Sequence, residues 1–299
     1  MWFPFIRNHR DNPIKRRIRV VLFFLIFCVL GAGFFYYYAK KETAAVLHTP
    51  FEIVDKSGNR REYRVFLPPW SGDKPLPLLV YFHGVWSEEF KRLPALKHYT
   101  GSPIEETGLI ELSKRKGFVL LVPEAFYEFK SLRGLPARGW QIEKEIDGIE
   151  KMIDRVAAEY KISKREIYLS GISAGAMFCH YLANKRPGVY AAIISHSQGY
   201  TDIEGRGIVL SPAKKGPRFG VLFAYCKGDY PNLIGYCKES CKKYKDAGYP
   251  VELLPDLLPP GHAWSSPSSE IFWNLLQKLA GRARKTCDRK VINLLSCFD

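Results

Sequence analysis

The sequence predicts an α/β fold: a mostly parallel central sheet with helices on both faces. Three observations carry this. Short apolar runs alternate with amphipathic stretches of helical length over most of the 299 residues, as strands joined by crossover helices do. The runs LPLLVYFHG (76–84) and GFVLLVPE (117–124) are continuously apolar, which suits strands buried on both faces rather than one. Prolines and glycines punctuate the crossovers, and no second-domain linker is seen, so one continuous domain is expected over 50–284.

The elements follow in order. FEIVD (51–55) and REYRVFLP (61–68) read as strands about a turn at Ser57-Gly58-Asn59. After the strand at 76–84, the mixed segment 92–117 reads as a covering loop and helix with a solvated charged face. The strand at 117–124 precedes a helix over 142–160, where Ile142, Ile146, Ile149, Ile153 and Val156 recur at spacings of three and four. Then come strand EIYLSG (166–171), helix 174–185, strand YAAIISHS (190–197), strand RFGVLFAYC (218–226), a helix near 232–247, strand PVELLPD (250–256) and helix SSEIFWNLLQKLAG (268–281). Residues 285–299 are left as a tail.

The net charge of +15 invites a nucleic-acid reading, but its distribution argues against one. Residues 1–41 hold eight Lys/Arg against one Asp, and the stretch from Gly281 holds five against two, leaving about +5 for the globular part. Nucleic-acid binding needs a concentrated basic stripe, and none is present there. The N-terminus accounts for most of the charge. A basic tail (1–19) precedes twenty uncharged residues, 20–39, enough helix to span about 30 Å of hydrocarbon. Arg7, Arg10, Lys15, Arg16, Arg17 and Arg19 lie before it and only Lys40 and Lys41 directly after. The positive-inside bias therefore predicts a single-pass anchor with a cytoplasmic N-terminus, a linker at 40–49 and the main domain outside the cytoplasm. The alternative is secretion after signal cleavage, for which ETAAV offers small residues.

Seven cysteines fit that placement. Outside the cytoplasm some are expected to pair, for example Cys287 with Cys297, or Cys226 with Cys237 or Cys241. The spacing of Cys237 and Cys241 lacks histidine partners, so no metal site is expected.

The chemistry centres on GISAG, 171–175. It follows an apolar strand and opens a helix, the context a nucleophile elbow requires. Gly171 and Gly175 permit the sharp turn that exposes Ser173 at the sheet edge, at a helix N-terminus that favours developing negative charge. The bland alternative is a serine that merely caps the helix. A serine at neutral pH needs a base, and the chain supplies partners in order: Asp229 in YCKGDYPN and His262 in PPGHAWSS. Each follows a strand's C-terminal end, with Asp202 and Asp256 as more distant acids. In YFHGVW (81–86), His83 and Gly84 turn the chain so that the Val85 N–H, or that of Trp86, points at the site beside the Ala174 N–H, as an oxyanion hole requires. His83 reads as a brace for that loop. Trp86 and Trp264, and more weakly Phe126, Tyr127, Phe129, Trp140 and Gln141, are candidates to line a substrate pocket.

These residues carry a resemblance. YFHG, DGIEKMIDRVAAEYKISKREIYLSGISAGA, YAAIISHS, KGD and GHAW are similar to the α/β-hydrolase superfamily. More narrowly they resemble its esterases grouped with polyhydroxybutyrate depolymerases, feruloyl esterases and dienelactone-hydrolase-like proteins, over about residues 60–280. In that group a helix with an early aspartate, here Asp147, leads into the elbow. The resemblance implies a serine esterase without metal or cofactor, with Ser173, Asp229 and His262 as triad. A cysteine nucleophile would mark dienelactone hydrolases themselves, and no added polymer-binding domain is seen. A carboxylic ester is thus the expected substrate. A peptidase or amidase on the same fold, or a catalytically silent anchored binding module, are the alternatives.

Overall fold

The computed structural model describes residues 51–69, 73–85, 102–130, 136–201, 207, 211–213 and 216–295, apart from the side chains of 142 and 286–295. The expected span 20–39 and Trp86 lie outside them. Among the described residues no helix is long and apolar enough to cross a membrane.

Eight strands form one sheet: β1 (Phe51–Val54), β2 (Arg60–Phe66), β3 (Leu76–Phe82), β4 (Val119–Pro123), β7 (Ile162–Ile172), β8 (Ala192–His196), β9 (Gly220–Cys226) and β10 (Val251–Leu257). Their spatial order is β1-β2-β4-β3-β7-β8-β9-β10. From β4 to β10 every neighbouring pair is parallel, while β1 and β2 add an antiparallel edge. A small hairpin of β5 (Tyr127–Lys130) and β6 (Pro136–Gly139) stands apart. It escaped the sequence reading because YEFK and PARG are only four residues each, too short for their pattern to stand out.

The parallel strands are buried on both faces, and alternate side chains feed two cores. Leu78, Val80 and Phe82 of β3, with Val221 and Phe223 of β9, pack beneath α2 (Ile142–Glu159), α3 (Ala174–Lys185) and α4 (Pro231–Asp246). Leu79 and Tyr81, with Leu222 and Ala224, face α1 (Leu109–Lys116) and α5 (Ser269–Leu295). At roughly 1.5–3 kcal/mol for each fully buried large side chain, these two layers fix the sheet as a rigid platform. Helix α5 runs on to Leu295, well beyond 284.

One polar cluster interrupts the apolar packing at the antiparallel edge. Arg61 of β2, 1% exposed, bonds Asp55 at 2.8 Å, Glu145 at 2.9 Å and the Lys144 carbonyl at 2.7 Å. Glu145 Oε1 accepts the N–H groups of Phe126 and Tyr127. Asp147 ties the same helix to the β1–β2 turn by accepting the Lys56 N–H at 2.7 Å.

The expected pairing of Cys226 with Cys237 or Cys241 needs correction. Cys179, Cys226, Cys237 and Cys241 are free and buried. Cys226 turns its thiol to the Ala263 carbonyl at 3.3 Å, while Cys237, on α4, donates to the Gln198 carbonyl at 3.2 Å. Cys287 and Cys297 fall outside the described side chains.

Candidate active site

Strand β7 ends at the elbow. Ser173 holds φ +54° and ψ −121°, a conformation costly for any residue with a side chain and typical of functional sites. The turn exists because its flanking residues have no Cβ. One on Gly171 would lie 2.5 Å from the Gly175 carbonyl carbon. One on Gly175 would lie 2.2 Å from the Phe82 carbonyl oxygen and 2.6 Å from that of His83. These contacts press the start of α3 against the end of β3, which brings Ala174 beside the His83–Val85 loop. The Ser173 N–H donates to the His196 carbonyl at 2.9 Å, and its carbonyl accepts the Met177 N–H. Its hydroxyl makes no capping bond to α3, so the strained position is not spent on capping.

The loop after β3 is braced from two sides. The Ala125 N–H reaches His83 Nε2 at 3.2 Å, so Nε2 accepts and Nδ1 donates to the Gly84 carbonyl at 2.6 Å. Trp140 Nε1 donates to the His83 carbonyl at 2.7 Å. Burial lowers the His83 pKa, in keeping with a neutral, structural imidazole. Val85 is half-buried at the end of this loop.

Asp229 and His262 meet directly. They sit on the loops after β9 and β10, which are tied together by Lys227 N–H to the Leu257 carbonyl and Gly261 N–H to the Lys227 carbonyl. His262 Nδ1 lies 2.8 Å from Asp229 Oδ1, and both side chains are nearly inaccessible, at 9% and 0% exposed. The same oxygen accepts the Tyr230 N–H at 2.7 Å. Burial opposes ionisation of Asp229, but the bond and charge of His262, the Ser197 hydroxyl and the Tyr230 N–H outweigh it and hold the carboxyl below its usual range. Asp256 is exposed; Asp202 lies outside the described residues. Because β7, β8, β9 and β10 are adjacent and parallel, the Ser173 elbow and the Asp229–His262 pair share one edge of the sheet, the C-terminal edge where such folds bind ligands.

Trp264 requires correction. It is 3% exposed and packs on Tyr81, His196 and Phe272, with its indole N–H donated to Ser269. It is core, not pocket wall, because its loop folds inward to cover the α5 face. Trp140 is also buried, stacked on Phe178. Two features escaped the sequence reading. Tyr230 sets its ring 5.3 Å from that of His262 while staying 42% exposed. His196 and Ser197 stand at the end of β8 between the elbow and the acid; the only sequence signal was a polar pair closing an apolar strand.

A Ser173 elbow, a buried acid–histidine pair and a mostly parallel eight-stranded sheet define an α/β-hydrolase. Residues 61–206 match the model of the esterase PHB depolymerase family. This match and the shared fold support an α/β-hydrolase serine-esterase group, and with it a serine hydrolase. Solved structures share the fold. A CE1 ferulic acid esterase from the anaerobic fungus Anaeromyces mucronatus is 18% identical, with a TM-score of 0.56 over 78% of this chain and 90% of that one. An S-formylglutathione hydrolase from Agrobacterium tumefaciens is 14% identical, with a TM-score of 0.56 over 78% and 94%. A fluorophosphonate-binding serine hydrolase of Staphylococcus aureus is 14% identical, with a TM-score of 0.51 over 78% and 97%. At such identities the likeness is one of fold. No curated protein matches the chain significantly.

Proposed function

We propose that this serine hydrolase cleaves carboxylic esters through Ser173, His262 and Asp229, with an acyl-enzyme intermediate. The observation that carries the reading is the buried 2.8 Å bond between His262 Nδ1 and Asp229 Oδ1, on the same sheet edge as a strained serine whose hydroxyl does not cap its helix. With Nδ1 committed to the carboxylate, Nε2 is the nitrogen left to take the Ser173 proton. The alkoxide attacks the ester carbonyl, and His262 returns the proton to the departing alcohol. Water then repeats the sequence on the acyl-serine, with His262 again as base, and releases the acid. Asp229 stabilises the imidazolium formed in each half-reaction. The N–H groups of Ala174 and Val85 receive the oxyanion, aided by the positive end of the α3 dipole. The Esterase PHB depolymerase match supports an ester substrate, as does the likeness to a ferulic acid esterase and an S-formylglutathione hydrolase.

The uncharged stretch 20–39 behind a basic tail supports a membrane-anchored enzyme with its hydrolase domain outside the cytoplasm. The full-length chain is expected to stay with the membrane through carbonate washing; release into the supernatant would favour a cleaved signal. Turnover of p-nitrophenyl esters of rising acyl length, set against matched anilides, tests the substrate class. Faster turnover of anilides than of esters would point to an amidase.

A further inference from the structure

We propose that Ser197 is a positioning residue for Asp229: it accepts a hydrogen bond from His196 and donates its own hydroxyl hydrogen bond to the acid's second oxygen. The inference rests on the triad reading above. Asp229 Oδ1 is occupied by His262 and the Tyr230 N–H. Oδ2 is buried and lacks a well-formed hydrogen bond, an arrangement that carries a penalty for a carboxylate. The Ser197 hydroxyl faces this carboxyl and helps keep it ionised.

The direction of the relay follows from backbone donors. The Ser265 N–H points at His196 Nε2 at 3.4 Å, so Nε2 is the acceptor. The Cys226 thiol, 3.9 Å from Nε2, has the Ala263 carbonyl at 3.3 Å as its own acceptor. His196 is wholly buried, and burial pushes its pKa down to about 3. The ring is therefore neutral, and its one proton sits on Nδ1, 2.8 Å from Ser197 Oγ. With Oγ filled as an acceptor, its hydroxyl proton is left to donate towards Asp229.

Backbone strain points the same way. Ser197 is fully buried, holds φ +56° and spends its N–H on the Ala224 carbonyl at 2.7 Å. Glycine would hold that conformation at less cost. A serine there retains strain, and the hydroxyl is what it gains. His196 also accepts the Ser173 N–H through its carbonyl, so the end of β8 sets both elbow and acid in register.

The test compares full-length wild type, Ser197→Gly and Ser197→Ala, each alone and with Asp229→Asn, on a p-nitrophenyl ester across pH. Glycine suits the backbone, so Ser197→Gly should keep the wild-type Tm or raise it; alanine removes the same hydroxyl should glycine loosen the strand. Both should lower kcat by about tenfold to a hundredfold, the worth of one hydrogen bond to a charged group, with KM within about twofold. Losing a donor raises the carboxyl pKa and strengthens its hold on the imidazolium, so the acid limb of kcat/KM should move up by about half a unit or more. In the Asp229→Asn background Ser197→Gly should cost nothing further. Folded single variants with wild-type kcat and pH profile, or an undiminished loss in the Asp229→Asn background, would overturn the relay alone. If Ser173→Ala turns over as fast as wild type, the triad itself falls and takes the relay with it.

Discussion

His262 Nδ1 and Asp229 Oδ1 stand 2.8 Å apart, with the carboxylate wholly enclosed. An enclosed anion bound to Nδ1 of an imidazole assigns the proton exchange to Nε2 and stabilises the ring once it is protonated. Asp229→Asn keeps the shape but loses the charge. We expect kcat to fall about 10³–10⁴-fold with KM nearly unchanged, measured by steady-state ester hydrolysis. A loss below tenfold would mean that the acid lies elsewhere.

The elbow depends on atoms that are missing. Gly175→Ala would set a methyl 2.2 Å from the Phe82 carbonyl oxygen, and backbone there has no room to yield. We expect a loss of about 3 kcal/mol or more, read from urea midpoints, together with activity. Gly235, in helix α4, has open space around its Cβ position. Gly235→Ala should instead stabilise the protein by up to about 1 kcal/mol.

Arg61 neutralises two enclosed carboxylates at once, Asp55 and Glu145. Removing it strands both. Arg61→Met should cost about 3–5 kcal/mol, a Tm drop of about 6 °C or more at this size. An unchanged melting curve would mean that the cluster contributes nothing net.

Buried neutral histidines make the fold acid-sensitive. Burial lowers the pKa of both His180 and His196 to about 3, against about 6.5 in the unfolded chain. For a depressed histidine, the stability contribution is complete above the unfolded value and is lost as pH falls from there towards the folded value. Stability should therefore decline between about pH 6.5 and 3, by up to about 1.4 kcal/mol per pH unit for each histidine. Urea titrations at pH 7 and pH 5 check this, and His180→Gln should flatten the decline.

The order of strands and the principal helices were legible because a buried parallel sheet imposes continuous apolar runs, and Gly171, Ser173 and Gly175 occupy a turn that few residue combinations can make. That Asp229 and His262 meet was legible through their places after successive strands. The β5–β6 hairpin was not, because two four-residue strands outside the sheet leave no period to detect. Trp264 misled because an aromatic beside a candidate histidine looks the same in sequence whether its loop opens outward or folds into the core. His196 and Ser197 contact residues 23 to 76 positions away, and nothing local announces such contacts. The free thiols of Cys226 and Cys237 show the same limit: one lies on a strand, the other on a helix, and their side chains take different carbonyl partners.

The central claim is that Ser173 is the nucleophile. Its most direct test is incubation of the full-length protein with a fluorophosphonate, followed by intact-mass and peptide mapping. The account predicts one adduct, on Ser173, that disappears in Ser173→Ala and forms much more slowly in His262→Ala. An adduct on another residue, or labelling that persists unchanged in Ser173→Ala, would contradict it.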